Sequence, residues 1–169
     1  MTEQESTAAT STQPNATETA ESDICASIDR IVAFHLAGQR YGLPIDRVNE
    51  IQQIVAFSEV PAGGSSVVGM VNLRGGVIPA IDVRLLVGLE AREYTLETPM
   101  IITRTHGETV ALIVDDVQDV LELPAGCLQS APALHALSAK MIGVCRMDDG
   151  LIYLLDVDLL LGSDILGGR

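Results

Sequence analysis

Asp82 and Asp156 each precede a short apolar segment, VRLLVG and VDLLLG, at matching places in the chain. Paired aspartates in a duplicated β-rich chain raise the chemistry of an aspartic protease, in which two carboxylates share one proton. That dyad needs a small hydroxyl residue and a glycine after each aspartate, and Val follows both here. The structural alternative is a cap, each carboxylate accepting backbone N–H groups at the start of one helical turn. Asp115-Asp116 after an apolar strand resembles the acidic pair of a phosphoacceptor domain. Such a domain also needs a Lys at a strand end, and Lys140, the single lysine, sits in a different context. His35, His106 and His135 share no metal-ligand spacing with one another or with cysteine. Cys25, Cys127 and Cys145 are odd in number and unclustered, so neither a disulfide framework nor a zinc site is expected, and a reducing cytoplasm fits best. No Gly-rich phosphate loop, Ser-centred elbow or Cys/His nucleophile pattern is present. The chain reads as non-enzymatic, without metal or cofactor.

The elements that hold these residues are repeated. VGMVNLRGGVIPAIDVRLLVG, from Val68, aligns without a gap on IGVCRMDDGLIYLLDVDLLLG, from Ile142, with 8 of 21 positions identical at an offset of 74. GQRYGLPIDRVNEI, from Gly38, matches GETVALIVDDVQDV, from Gly107, at an offset of 69. A period near 70 suits a duplicated small domain rather than a solenoid of short repeats. Short apolar runs cut by Gly, Pro and Asp predict strands Ile31–Ala37, Tyr41–Ile45, Val48–Val55, Val67–Leu73 and Val77–Ile81 in the first copy. The second copy predicts Met100–Thr105, Thr109–Val114, Val117–Leu123, Met141–Met147 and Leu151–Leu155, with room for one short helix at Ala133–Ala139. Turns are expected at Gly38-Gln39, Gly75-Gly76, His106-Gly107 and Asp149-Gly150, where glycine supplies positive φ. Five short antiparallel strands per copy curl to remove exposed edges. The expectation is a mainly β fold of two small barrels packed together, with few helices.

Composition narrows the partners. The chain has 169 residues, 47% hydrophobic and 3% aromatic, with a net charge of −13. Nucleic acid and anionic membrane surfaces attract clustered Lys and Arg, and this balance argues against both. Residues 1–27 are Ser, Thr, Ala and Glu with almost nothing to bury, so an acidic disordered tail is expected. Its start lacks a secretory signal, and the most apolar run, Leu151–Leu161, is too short to cross a bilayer and holds two aspartates.

Differences between the copies point to a task. Gly69 recurs as Gly143 and Gly76 as Gly150, which is geometry. Arg74 is replaced by Asp148, the better turn residue. A solvated turn charge and a binding role both fit Arg74. Pro79, whose counterpart is Tyr153, belongs on an edge or bulge. In Val48-Asn49-Glu50-Ile51, alternate residues mix polar and apolar groups on both faces, as at an interface rim, although a solvated strand reads the same way.

These stretches also carry a resemblance. VNEI at Val48–Ile51, VVGMVNLRGGVIPAIDVR at Val67–Arg84, ALIVDDVQDVLEL at Ala111–Leu123 and LIYLLDVDLLL at Leu151–Leu161 resemble the CheW family of bacterial chemotaxis adaptors. Gly69–Val83 matches the family pattern Gly-x-x-Asn-Leu-Arg-Gly-x-x-x-Pro-x-x-Asp-Leu, with Val83 in place of Leu. The resemblance covers about residues 30–161. It implies two five-stranded Src-homology-type β-barrels, a CheW-like domain over 28–165 with repeats of about 30–90 and 98–162, and no catalysis. It implies a cytoplasmic adaptor that joins the tips of methyl-accepting receptors to the regulatory domain of a CheA-type histidine kinase. Val48, Glu50, Gly69 and Arg74 fall at the contact positions, with Glu50 and Arg74 expected to pair across neighbouring strands. Gly75, Gly76, Asp82, Asp149, Gly150 and Asp156 are left as structural turns and caps. The loop Ser58–Ser66 has glycines where the family often places a second proline, and no receiver segment follows Leu161, so a stand-alone adaptor is expected. The reading from another class is a small-ligand carrier or sensor using the cleft between the barrels.

Overall fold

The computed structural model describes residues 28–54, 57–59, 66–133 and 137–166. The expected acidic tail with Cys25, residues 60–65 of the Ser58–Ser66 loop, and His135 lie outside them. The first copy forms β1 (Arg30–Leu36), β2 (Gln39–Pro44), β3 (Val48–Gln53), β4 (Phe57–Glu59), β5 (Val67–Leu73) and β6 (Gly76–Asp82). The second forms β7 (Pro99–Thr105), β8 (Glu108–Ile113), β9 (Asp116–Glu122), β10 (Leu128–Gln129), β11 (Met141–Met147) and β12 (Gly150–Leu155). A four-residue helix, α1 (Val83–Leu86), follows β6. Its counterpart, α2 (Val157–Leu166), follows β12 and breaks at Gly162, where φ is 53°. Residues 134–136 of the helix expected at Ala133–Ala139 lie outside the described residues; after them comes a 3-10 turn at Ser138–Lys140.

Among the described residues each copy therefore has six strands, β4 and β10 being short edge strands absent from the expected set. The sheets do not follow the copies. One runs β10-β11-β12-β2-β1-β9 and the other β4-β5-β6-β8-β7-β3. The β1-β2 hairpin of the first copy completes the second copy's sheet, and β7-β8 completes the first copy's. Each graft is made by one parallel seam: β12 with β2 (Leu154↔Gly42) and β6 with β8 (Ala80↔Ala111). The four seam residues are equivalent in pairs, and their volumes compensate. Ala faces Ala in one body, and Leu faces Gly in the other. A Cβ on Gly42 would stand 2.7 Å from the Ile31 Cδ1 and 3.1 Å from a Leu154 methyl, so a larger residue there would have to push those side-chain ends aside.

Three apolar clusters hold the bodies together. The largest takes residues from both sheets, among them Phe34, Tyr41, Leu43, Ile81, Ile101, Leu112, Leu155 and Leu160. A second, around Ile54, Val71, Met100, Ile102 and Ile113, belongs to the first body. A third, Ile31, Ile152 and Leu154, belongs to the second. Exchanged hairpins face both the shared cluster and the local ones, so neither body is an independent core.

Three hairpin turns fall one residue earlier than expected. Their centres are Ala37-Gly38, Arg74-Gly75 and Asp148-Asp149, while His106-Gly107 stands where the sequence placed it. A two-residue hairpin favours positive φ at both centres. Ala37 (50°), Arg74 (51°) and His106 (48°) each precede a left-handed glycine, Gly38, Gly75 or Gly107. Gly76 instead opens β6 opposite Leu73. Gly150 opens β12 with φ of 135°.

The cysteine reading is corrected. Cys127 and Cys145 form a disulfide, with Cα atoms 5.0 Å apart. They stand 18 positions apart in sequence, which hid the pair. The missing link was β10, whose Leu128 faces Cys145 and so brings the preceding Cys127 beside it.

Candidate functional site

β3 carries the first half of the expected surface. Its ladder with β7 runs Val48↔Thr103 and then Glu50↔Ile102, so Asn49 is an inserted bulge residue. The Thr103 hydroxyl anchors the bulge by donating to the Arg47 carbonyl at 2.5 Å. Val48 is half-buried against the shared core. Glu50 is also half-buried, and Asn49, Ile51 and Gln53 are exposed.

Arg74 supplies the second half. The Asn72 side-chain oxygen accepts the Gly75 N–H at 2.9 Å and fixes the β5–β6 turn. Arg74, left-handed and 78% exposed in its side chain, donates from Nη2 to Glu50 Oε2 at 2.6 Å. β3 and β5 are not ladder neighbours; β3 ends the strand order in which β5 is next to the other end. The pair thus bridges the rolled sheet across its ends rather than across adjacent strands, correcting the expected arrangement. An exposed pair of this kind contributes about 0–1 kcal/mol, so its consequence is the orientation of the guanidinium more than stability.

Gly69 is buried. It pairs with Glu59 of the edge strand β4, and a Cβ there would meet the Phe57 ring and the Ser58 carbonyl at 2.6 Å. Phe57 in turn meets Tyr94 edge-on, with ring centroids 5.5 Å apart. Gly69 acts by leaving room for β4 and its Phe57 ring at the sheet edge. Gly143 serves β10 in the same way, its Cβ position lying 2.5 Å from the Gln129 carbonyl.

Both capping aspartates bind backbone. Asp82, fully buried, accepts the Arg84 N–H at 2.8 Å and the Tyr94 hydroxyl at 2.6 Å. Burial, then the bond to Asp82, raises the Tyr94 phenol well above its ordinary value. Asp156 accepts the N–H groups of Asp158 and Leu159 at 2.9 and 3.0 Å. Asp149 is held by both terminal nitrogens of Arg40, at 2.8 and 2.7 Å, which lowers its carboxyl pKa.

Two ion pairs tie the helical turns to the opposite copy. Arg84 of α1 binds Asp115 at 2.5 Å, and that carboxylate also accepts the Ala37 N–H. Arg47 binds Asp158 of α2 at 2.8 Å. The Asp158 carboxyl is lowered chiefly by the Thr105 hydroxyl, against partial burial, with help from Arg47. The second pair lines an open cleft of about 440 Å³ with Asp46, Asn49, Arg104 and His106. Its walls are polar, unlike those of an apolar ligand pocket. Among the described residues, no group of three or more His, Cys, Asp or Glu could hold a metal ion. None of their helices is long and apolar enough to cross a membrane.

The sequence reading missed the Phe57–Tyr94 clamp and both inter-copy ion pairs. Phe57, one of only two phenylalanines, was a usable signal for the clamp. Nothing in the spacing announced the ion pairs, because they depend on the hairpin exchange.

Four of the exposed large apolar residues fall into equivalent pairs. Ile51 and Val120, at the offset of 69, are both 44% exposed, and Val77 and Leu151, at 74, are 64% and 44% exposed. Each body thus presents the same two apolar points on β3 and β6, or on β9 and β12.

Comparison with known proteins agrees with this layout. The CheW-like domain family matches residues 30–164. The chemotaxis protein CheW of Klebsiella aerogenes is 29% identical over 133 residues, 78% of this chain and 80% of that protein. That of Rhizobium meliloti is 27% identical over 136 residues, 79% of this chain and 88% of that protein. The crystal structure of the scaffolding protein CheW from Thermoanaerobacter tengcongensis matches with a TM-score of 0.72 and 29% identity. It covers 81% of this chain and 90% of that one.

Proposed function

The chain belongs to the CheW-like family, and on that premise we propose that it is a chemotaxis adaptor with no catalytic role. Its adaptor body spans residues 28–165, with repeats of about 30–90 and 98–162. It works in the cytoplasm, holding the tip of a methyl-accepting receptor against the regulatory domain of a CheA-type histidine kinase.

The supporting observation is the Glu50–Arg74 pair. A non-glycine residue in the left-handed region costs about 1 kcal/mol. Ala37 and His106 bear the same conformation, so the geometry is tolerated, but neither presents a long cation oriented by a carboxylate. The matching positions in the second copy, Asp119 and Asp148, are both acidic and cannot form such a pair. Arg74, Glu50 and Val48 make the contact directly, and Gly69 contributes through β4. A receptor tip built as a helical hairpin would lay an amphipathic face beside this surface. The paired apolar points Ile51/Val120 and Val77/Leu151 give each body a like-shaped end for further docking. Coupling of about 1–3 kcal/mol between receptor and kinase is enough for such a scaffold.

The test is Arg74→Asn, because Asn accepts left-handed φ. Thermal stability should hold or rise slightly. Receptor-fragment binding should weaken about tenfold, and kinase autophosphorylation in the three-component mixture should fall. Unchanged binding and activation in a folded variant overturn the assignment.

A further inference from the structure

We infer that Cys127 and Cys145 are a redox-modification site that opens and closes the edge of the second sheet. The first copy supplies the control. Cys145 aligns with Val71, and since Leu128 and Phe57 face these residues, Cys127 aligns with Ala56. The fold therefore closes over β5 without a covalent bond. There β4 has three residues and is clamped by Phe57 against Tyr94. The equivalent β10 has two residues, with Leu128 in place of the ring. The disulfide replaces the aromatic clamp on the weaker edge.

The two sulfurs differ in access. Cys145 is fully buried. Cys127 is half-buried and follows the exposed stretch Pro124–Gly126. Exchange therefore starts at Cys127. A thiolate of a low-molecular-weight thiol or dithiol oxidoreductase attacks the Cys127 sulfur, forming a mixed disulfide and releasing the Cys145 thiolate, which takes up a proton. A second thiolate attacks the outer sulfur of the mixed disulfide, leaving as the oxidised reagent and freeing Cys127, which is protonated in turn. Two thiols are consumed and two cysteines and one external disulfide are produced. Run backwards with an external disulfide as oxidant, the same steps close the edge. Once reduced, β10 keeps its short ladder to Val144 and Cys145 and the packing of Leu128 on the Ile31–Ile152–Leu154 cluster, with no covalent tie.

The experiment equilibrates the full chain in glutathione buffers of graded ratio, then alkylates free thiols and maps them by peptide mass. Hydrogen exchange of the oxidised and dithiothreitol-reduced forms follows. Expected are a Cys127–Cys145 cross-linked peptide that is lost on reduction, and exchange at 128–129 and 144–145 at least tenfold faster in the reduced form, with 57–59 and 69–71 unchanged. Cys127→Ala with Cys145→Val, the residues of the first copy, should fold and lose all response to dithiothreitol. Free thiols at both positions across every buffer ratio overturn the inference. So does exchange that reduction leaves unchanged in the native chain, a readout that does not depend on the variant folding.

Discussion

In the first body the β5–β6 turn carries a cation, Arg74, which reaches Glu50 of its own copy. In the second body the matched β11–β12 turn carries Asp148 and Asp149, and Asp149 is gripped by Arg40 from the exchanged β2. The same inversion occurs at the helical turns. The cation of one pair lies on α1, facing Asp115, while in the other the acid Asp158 lies on α2, facing Arg47. Were the hairpins kept within their own copies, Arg84 would face the Asp46-Arg47 junction and Asp158 would face Asp115-Asp116. The second meeting is wholly repulsive. The charge differences between the repeats thus favour the exchange that the backbone makes, besides distinguishing the surfaces. A duplicated fold kept Gly69/Gly143, Gly76/Gly150 and its two caps in common and diverged in the charges where the two halves meet.

The sharpest way to break this comparison is at the better-buried ion pair. The side chains of Arg84 and Asp115 are 17% and 13% exposed, against 35% and 46% for Arg47 and Asp158. Arg84→Ala leaves a buried carboxylate whose remaining cation, Arg92, is 4.0 Å away. A loss of about 3 kcal/mol is expected in denaturant unfolding. Arg47→Ala, at the more exposed pair, should lose about 1 kcal/mol or less. Equal losses would mean that the two junctions are energetically alike despite their burial.

The glycine pair tests the shared geometry instead. Gly69→Ala and Gly143→Ala both push a methyl group into the backbone of an edge strand, and each should destabilise by about 1–3 kcal/mol in thermal or chemical unfolding. The Gly69 variant should also displace β4 and weaken receptor binding, whereas the Gly143 variant should not. Equal effects on binding would remove the functional distinction between the two edges.

Among the described residues Asp156 meets no counterpart of Tyr94; its carboxylate accepts from the backbone of α2. Because the fold raises the Tyr94 pKa, the hydroxyl's contribution is fully present below the ordinary phenol value of about 10 and is lost as pH rises beyond it. Tyr94→Phe should cost about 1 kcal/mol at pH 7 and show less alkaline destabilisation between pH 9 and 11. Tyr41, also raised by burial, titrates in both proteins and cancels in the difference. Parallel pH curves would show that the Asp82 bond adds nothing.

Much of this was legible in the chain. The two-copy period, the β class and strands such as Val67–Leu73 and Met141–Met147 follow from alternation and turn residues, which act locally. The caps at Asp82 and Asp156 are local as well. The hairpin exchange was not legible, since Gly42 and Ala111 read as ordinary small strand residues until their parallel partners are known. The turn at Arg74 was placed one residue late because Gly75-Gly76 is a strong hairpin signal in isolation. What decided the register was pairing of Leu73 with Gly76, a property of the whole ladder. The disulfide was missed for the same reason: its proximity depends on a two-residue strand too short to leave a pattern.

The smallest effect expected is at the second body's own turn. The Asp149 carboxylate is exposed, yet both oxygens meet Arg40, whose side chain is only 11% exposed. The hydrogen bonds from Arg40 lower the Asp149 pKa, so whatever stability they give is present above the ordinary carboxylate value of about 4 and disappears as pH falls below it. Asp149→Asn should therefore lower thermal stability slightly at pH 7 and by progressively less as pH falls below about 4, and about 0.5 M salt should shrink the difference, since exposed charges are screened over a few ångströms at that strength. Arg40→Ala should cost more, because the aliphatic part of that side chain is packed as well as charged. If the two substitutions prove equal and salt-insensitive, the contact is not an ion pair in solution, and Arg40 belongs to the packing of the grafted hairpin alone. The contrast with Arg74 would then widen. Each β5-type turn would bear charge, but only the first copy's would be set by a carboxylate partner.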